Sequence, residues 1–207
     1  MSFDLLIVIG MIIADLVLVL EILYFIVRRS VSNKLIRAAF ENNEAEFEAV
    51  SKTLAAKTLS KFDQELIRFN VAELQRDDAL IEKQIEKFEE MDLKDSQKKK
   101  VYPQIFYYYI DRRRKEDATR YYEKLSQFDV YRNKRDIEMT YDAYVRGSHM
   151  YLEEALKDLK KATRLELPAK ERLVAKMYAN KGINAEAKKY NSLADKHEAE
   201  LKGNNKA

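Results

Sequence analysis

The sequence predicts an all-α protein in which one N-terminal transmembrane helix precedes an α-solenoid of helical hairpins. Its 207 residues include only four Gly and two Pro, too few for the many tight turns of an all-β fold. Leu, Ala, Glu and Lys, which favour helices, are abundant. We therefore expect an anchor over residues 1–29, a helical domain over 30–201 and a disordered tail over 202–207.

A strongly apolar segment near the N-terminus predicts the anchor. Leu5–Val27 spans 23 residues, about 34 Å as a helix against a hydrocarbon core of about 30 Å. Seventeen of these residues are Leu, Ile, Val or Phe, and their summed insertion free energy of about −5 to −10 kcal/mol exceeds the cost of burying Asp15 and Glu21. Arg28 and Arg29 follow the segment, so the positive-inside rule predicts a single-pass protein with a short N-terminus outside and a cytoplasmic C-terminal domain.

Small and acidic side chains within this segment indicate contact with a partner helix, such as one of a multi-pass membrane protein. Gly10, Ala14 and Glu21 lie on one line of a helical projection, and two small residues four apart allow close approach of a second helix. Asp15 lies on a different face, and intramembrane acids usually face protein or water. Alternatively, Asp15 is protonated and Glu21 extends toward Arg28. We interpret Gly10, Ala14, Asp15 and Glu21 as candidate partner contacts.

The rest of the chain alternates helix-period runs with short polar breaks, and the second run of each pair looks alike. The anchoring residues Phe47, Ala79, Ala118, Ala155 and Ala187 are spaced 32, 39, 37 and 32 residues apart. Most are followed seven positions later by another apolar residue on the same helix face. The pairs are Phe47 and Leu54, Ala118 and Leu125, Ala155 and Ala162, and Ala187 and Ala194. This period predicts hairpins that bury their apolar faces by stacking on their neighbours.

The pattern resembles the tetratricopeptide repeat family, most closely in the last unit. Pro168 opens a helix, Gly182 forms the turn, and Ala187, Tyr190 and Ala194 occupy the second helix. The resemblance implies an α-solenoid whose first helices line a concave groove that binds protein segments. The groove-facing residues it implies are Lys61, Arg68, Tyr107, Arg172 and Lys176. This groove is more basic than acidic, which implies an acidic extended peptide as a partner.

No set of residues indicates an enzyme. The chain has no Cys and only two histidines, His149 in an inter-helix segment and His197 on a polar helix, both of which we expect to be solvated. It contains no glycine-rich phosphate loop. We therefore predict no catalytic residue, no metal site and no cofactor. The net charge of +3 disfavours nucleic acid as a partner.

Two functions are compatible with these observations. The first is a membrane-anchored, non-catalytic adaptor or scaffold that presents a cytoplasmic helical-repeat surface, as an accessory subunit of a membrane complex. The second is a receptor whose groove captures soluble protein or peptide segments at a membrane, a layout that resembles mitochondrial import receptors. An enzyme with an unrecognised site is a third, less favoured hypothesis.

Overall fold

The computed structural model describes residues 3–131 and 133–204, apart from the side chains of residues 3–10, 12, 203 and 204. Within these ranges all regular structure is helical, which confirms the all-α prediction. The elements are α1 (Phe3–Phe40), α2 (Glu44–Ser51), a 3-10 helix (Ala55–Thr58), α3 (Lys61–Gln75), α4 (Asp78–Glu90), α5 (Asp95–Asp111), α6 (Lys115–Ser126), α7 (Lys134–Tyr144), α8 (Leu152–Leu159), α9 (Leu167–Asn180) and α10 (Asn184–Asn204).

The chain divides into two compact units, the first covering Met1–Gln97 and the second Lys98–Ala207. In the first unit, α1 packs against α2, the 3-10 helix and α3, and α3 also packs against α4. In the second unit, α9 packs against α7, α8 and α10, and α6 packs against α7. The predicted boundary after residue 29 falls inside α1. Part of the predicted tail, up to Asn204, belongs to α10, and residues 205–207 lie outside the described residues.

Helix α1 is 38 residues long and has two contrasting parts. Near its C-terminal end, Val31, Leu35 and Ala38 are buried and pack with Phe47 of α2 in one apolar cluster. Farther toward the N-terminus, the described side chains between Met11 and Val27 are exposed. The helix is therefore longer than the predicted anchor because its last ten residues, 31–40, contain the positions that enter the core of the first unit.

The prediction of a transmembrane helix is wrong for this structure. Among the residues whose side chains are described, no helix combines the length and the apolar character needed to cross a bilayer. Asp15, Glu21, Arg28 and Arg29 all fall within residues 13–30, and each ionisable side chain adds a cost to burial in lipid. Arg28 pairs with Asp63 of α3 at 3.3 Å, so the expected approach of Glu21 to Arg28 is also not found.

Four hairpin turns share one backbone geometry. In each of them, a residue one or two positions after the end of the first helix has a positive φ angle. The N–H of the following residue bonds to a carbonyl five residues earlier, as in Asp77 to Ala72 at 3.0 Å. This is the hydrogen bond of a Schellman helix ending. The residues with positive φ are Asn42 at 52°, Arg76 at 57°, Arg113 at 58° and Gly182 at 83°. Their separations of 34, 37 and 69 residues agree with a period of about 34, the third separation spanning two periods.

The connection between α7 and α8 departs from this geometry. It covers residues 145–151 and has its positive φ at Gly147, so this turn is longer than the other four. The additional length leaves the α7–α8 hairpin outside the common turn pattern, although Leu152 and Ala155 of α8 still enter the core of the second unit.

The predicted anchoring residues are buried in four of the five hairpins. Phe47, Ala118, Ala155 and Ala187 are buried. Ala79 is exposed, because α4 turns a different face inward. The buried residues of α4 are Ile81, Gln84, Ile85 and Phe88. Leu54 is also exposed, at 79%, because α2 ends at Ser51 and the seven-residue spacing therefore runs beyond the helix.

Candidate functional site

A basic cleft of about 570 Å³ lies in the second unit, at the α5–α6 turn and beside α7 and α9. Four cationic side chains line it, and Asp111 is the single acidic residue among its lining residues. The lining residues are Tyr109, Ile110, Asp111, Arg113, Lys115, Tyr144, Arg172 and Lys176. We call this feature the basic cleft.

The α5–α6 turn places two of the cations. Arg113 adopts a left-handed backbone conformation, and its N–H bonds to the carbonyl of Ile110 at 3.0 Å. The N–H of Arg114 bonds to the carbonyl of Tyr109 at 2.9 Å, and the Arg114 guanidinium lies 4.7 Å from the centre of the Tyr109 ring. Because Tyr109 is almost fully buried, these contacts hold the turn against the core and keep Arg113 and Lys115 at the rim.

Helix α9 supplies the other two cations. Arg172 and Lys176 are four residues apart, so they lie on the same helix face. Arg172 Nη2 lies 2.9 Å from Asp195 Oδ1 and 2.7 Å from Glu198 Oε2, both on α10. The hydrogen bond to Glu198 is the main reason that the pKa of Arg172 is raised. In the described structure, by contrast, Arg113, Lys115 and Lys176 have no carboxylate within ion-pairing distance.

Burial affects the other polar groups at the floor of the basic cleft. The Tyr144 hydroxyl donates a hydrogen bond to the Arg172 carbonyl at 3.4 Å. Burial raises the pKa of Tyr144, and the charge of Asp111 raises it further. Burial also raises the pKa of the Asp111 carboxyl, although the positive charges of Arg112 and Arg172 oppose part of this shift. Tyr144 is half-buried and Asp111 is exposed, so solvent reaches these groups and screens the charges beside them.

Of the five predicted groove residues, only Arg172 and Lys176 meet in one site. Tyr107 is not among the lining residues of the basic cleft. Its hydroxyl forms a hydrogen bond with Thr140, and burial followed by the charge of Asp136 raises its pKa. Tyr107 therefore contributes to the packing of α5 on α7 and does not line the cleft.

Lys61 and Arg68 lie in the first unit, in two separate cavities. Arg68 stacks on the Phe47 ring at 3.6 Å, forms an ion pair with Glu44, and lies 3.7 Å from Glu65. Its side chain is only 11% exposed, so it serves the packing of α3 on α2. Lys61 is exposed and lies beside the ion pair between Lys87 and Glu65. The single groove predicted for all five residues is therefore not formed within either unit.

The predicted partner contacts of α1 fall on its exposed part. Ala14, Asp15 and Glu21 are exposed, and within the described residues Asp15 and Glu21 have no ion pair. Glu21 lies beside Val17, Leu20 and Tyr24 at a shallow apolar surface. Gly10 lies outside the residues whose side chains are described. The geometry thus leaves this segment available to a partner without showing what covers it.

The expectation that His197 is solvated is wrong. Its Nδ1 donates a hydrogen bond to Glu171 Oε2 at 2.9 Å, and Glu171 is almost completely buried on α9. This bond fastens α10 to α9 immediately beside Arg172. His149 is exposed, as expected. The 26-residue separation of Glu171 and His197 gave no local signal from which the contact was predictable.

Two further observations bear on function. Among the described residues, no group of three or more His, Asp or Glu side chains is arranged to hold a metal ion. Comparisons of the chain with family models, with curated proteins and with solved structures found no match.

Proposed function

We propose that this protein is a non-catalytic adaptor built from tetratricopeptide-like hairpins, and that its second unit binds an acidic segment of a partner protein. The observation that carries the proposal is the basic cleft, where Arg113, Lys115 and Lys176 converge without an ion pair to any residue that the structure describes. Cations held close together repel one another, and this repulsion is a cost to the fold that an anionic ligand removes.

The lining of the basic cleft favours a peptide as the ligand. The half-buried Tyr144 provides aromatic surface next to the cations, a combination suited to a segment that mixes acidic and apolar side chains. The whole chain has a net charge of only +3, so the positive potential is local. A local patch favours a short acidic segment over the long phosphate backbone of a nucleic acid.

Binding of a labelled peptide tests this proposal. The probe is a fluorescent peptide of alternating Glu and Leu, titrated with the full chain and followed by anisotropy. We expect the double variant Arg113→Glu and Lys176→Glu to bind at least about tenfold more weakly. We also expect added salt to weaken wild-type binding, because the interaction is between charges.

Matched controls separate the basic cleft from general charge. The double variant Lys57→Glu and Lys188→Glu changes the net charge equally at exposed positions outside the cleft, so its binding should stay within about twofold of wild type. A peptide with Gln in place of Glu should bind weakly. The proposal is wrong if the two double variants bind alike, or if a single-stranded RNA of equal length displaces the acidic peptide.

The exposed part of α1 favours a second contact, with an apolar surface of a partner protein. Large apolar side chains from Met11 to Val27 are exposed by roughly half, far more than an isolated surface residue requires. Asp15 lies within this surface and forms no ion pair with the side chains that the structure describes. Burial of an unpaired carboxylate is costly, so the partner is expected to present a cation opposite it.

Co-purification tests the α1 contact. Replacement of Asp15 by Leu should change the set of proteins that crosslink to this chain in cells, because the cation of the partner loses its counter-charge. Replacement of Glu41, which is also exposed, directly follows α1 and pairs with Arg37 of that helix, should leave that set unchanged. An unchanged set for Asp15→Leu would remove Asp15 from the contact.

A further inference from the structure

Arg172 takes part in two sites at once. It lines the basic cleft, and its Nη2 is also bonded to Asp195 and Glu198 of α10 at 2.9 and 2.7 Å. These two acids are three residues apart and therefore lie on one face of α10. They present to Arg172 the same pair of closely spaced carboxylates that an acidic peptide would offer.

The two ion pairs of Arg172 are open to solvent. The side chains of Arg172, Asp195 and Glu198 are exposed by 41%, 69% and 35%. Exposed ion pairs are weak, because water solvates both charges and the side chains lose freedom when they pair. Glu198 also has a second cation, Lys202 at 2.8 Å, to which it can remain bound. Displacement of the α10 carboxylates from Arg172 by a ligand carboxylate therefore costs little free energy.

Helix α10 is attached to α9 by contacts that do not involve Arg172. His197 bonds to the buried Glu171 at 2.9 Å, and the rings of Tyr178 and Tyr190 stack with centres 5.6 Å apart. Ala194 is fully buried. Release of Arg172 consequently requires only rotation of its side chain, while the helix remains docked.

We propose that Asp195 and Glu198 are internal competitors that hold Arg172 away from an acidic ligand and so set the affinity of the basic cleft. This inference rests on the function proposed above. The ligand gains Arg172 as a fourth cation only after its carboxylate displaces those of α10. Neutralisation of the two acids, for example by binding of a cationic protein to α10, would therefore strengthen ligand binding.

The test removes the competing charges and measures the same peptide binding in the full chain. The double variant Asp195→Asn and Glu198→Gln should bind the Glu-Leu peptide about three- to tenfold more tightly than wild type. The double variant Glu186→Gln and Glu200→Gln matches the change in net charge on the same helix, and its acids pair with Lys189 and Lys196 instead of Arg172. It should change the affinity by less than about twofold.

The same peptide-binding measurement in an Arg172→Gln background gives a second readout. If the acids act through Arg172, their removal in that background should leave the affinity unchanged. Circular dichroism checks that α10 stays folded in the double variant. If α10 unfolds, the single variant Asp195→Asn is used instead, because it keeps the Glu198–Lys202 pair.

The outcomes distinguish the two proposals. Wild-type binding that depends on Arg113 and Lys176 but is unaffected by removal of the α10 acids overturns the competition and leaves the adaptor function standing. Equal strengthening by both double variants also overturns the competition, because net charge alone would explain it. Absence of binding in wild type and in every variant overturns both proposals.

Discussion

The two units differ in the kind of side chain that each leaves at its surface. In the first unit, Arg28 and Arg68 pair with carboxylates of neighbouring elements, while α1 leaves the apolar side chains of Met11–Val27 exposed. In the second unit, the large rings of Tyr109 and Tyr121 are buried, while three cations of the basic cleft have no ion pair within the described part of the chain. Both units nevertheless use the same hairpin turn.

The difference shows that a shared hairpin geometry does not determine a shared surface chemistry. Arg68 and Arg172 were predicted as equivalent groove cations. Arg68 is enclosed by Phe47 and Glu44 and is 11% exposed, whereas Arg172 is 41% exposed at the rim of a cleft. The positions of acidic and aromatic side chains on neighbouring helices decide which of the two is able to meet a ligand.

The largest expected effect on stability tests the contrast between the buried and the exposed part of α1. Leu35 is fully buried, so Leu35→Ala should lower the free energy of unfolding by about 2–5 kcal/mol. Leu20 is 56% exposed, so Leu20→Ala should change it by less than about 0.5 kcal/mol. Urea denaturation followed by circular dichroism measures both. Similar losses for the two variants would show that the exposed part of α1 is covered in the folded protein.

The next effect concerns the attachment of α10 in the second unit. His197→Ala leaves the buried carboxylate of Glu171 without this donor and should cost about 1–3 kcal/mol. Hydrogen exchange of α10 should rise more than that of α5. His149→Ala, at an exposed position, is the control and should have almost no effect. Equal destabilisation by both histidine variants would contradict the role of the His197–Glu171 bond.

The shared turn gives a smaller test. One substitution should lower the free energy of unfolding in the second unit, and another should raise it in the first unit. Gly182 has a φ of 83° and open space where a Cβ would lie, so Gly182→Ala should cost roughly 1 kcal/mol through backbone strain alone. Arg76 has the same conformation with a side chain, so Arg76→Gly should stabilise by about 0.5 kcal/mol once the freedom of glycine in the unfolded chain is counted. Thermal unfolding measures both, and a loss of stability in Arg76→Gly would contradict the common turn.

The smallest expected effect is a dependence of the stability of the second unit on pH. Hydrogen bonds from Lys202 and then Arg172 lower the pKa of Glu198 from 4.5 to about 2. Because the folded pKa lies below the ordinary value, the ionised carboxylate stabilises the fold. This contribution is complete above pH 4.5 and is lost as the pH falls through about 2. Solvent screening keeps it small.

Comparison with Glu198→Gln measures this contribution. The difference in melting temperature between wild type and the variant should shrink steadily as the pH is lowered from about 4.5 to about 2. Glu200→Gln, whose carboxylate lies 4.0 Å from Lys196, controls for the loss of one exposed acid. A difference that stays constant over this range would show that the pairs of Glu198 contribute nothing to the fold.

The helical class and the hairpin period were predictable from the sequence, since both depend on local spacing. Phe47 and Ala118 are buried as expected, because a seven-residue spacing defines one face of any α-helix. The prediction was wrong at Ala79 and Leu54, which are exposed. Which face of α4 turns inward and where α2 ends both depend on neighbouring helices.

The basic cleft was predictable only in part. Arg172 and Lys176 were identified because the resemblance to tetratricopeptide repeats implies that both face a groove from a first helix, and both line the cleft. Arg113 and Lys115 lie about sixty residues earlier, and only the packing of the α5–α6 turn beside α9 brings them to the same cleft. Local periodicity carries no information on such contacts, because they depend on how the hairpins stack.

By itself, the sequence determined the all-α class, the repeat period of the hairpins and the lack of cysteine chemistry, because composition and spacing act within a few residues. Only the tertiary structure decided that α1 continues into the core, that Arg68 is enclosed, and that His197 bonds to Glu171. Charges and burial depend on distances through space, and folding brings together residues that are far apart along the chain.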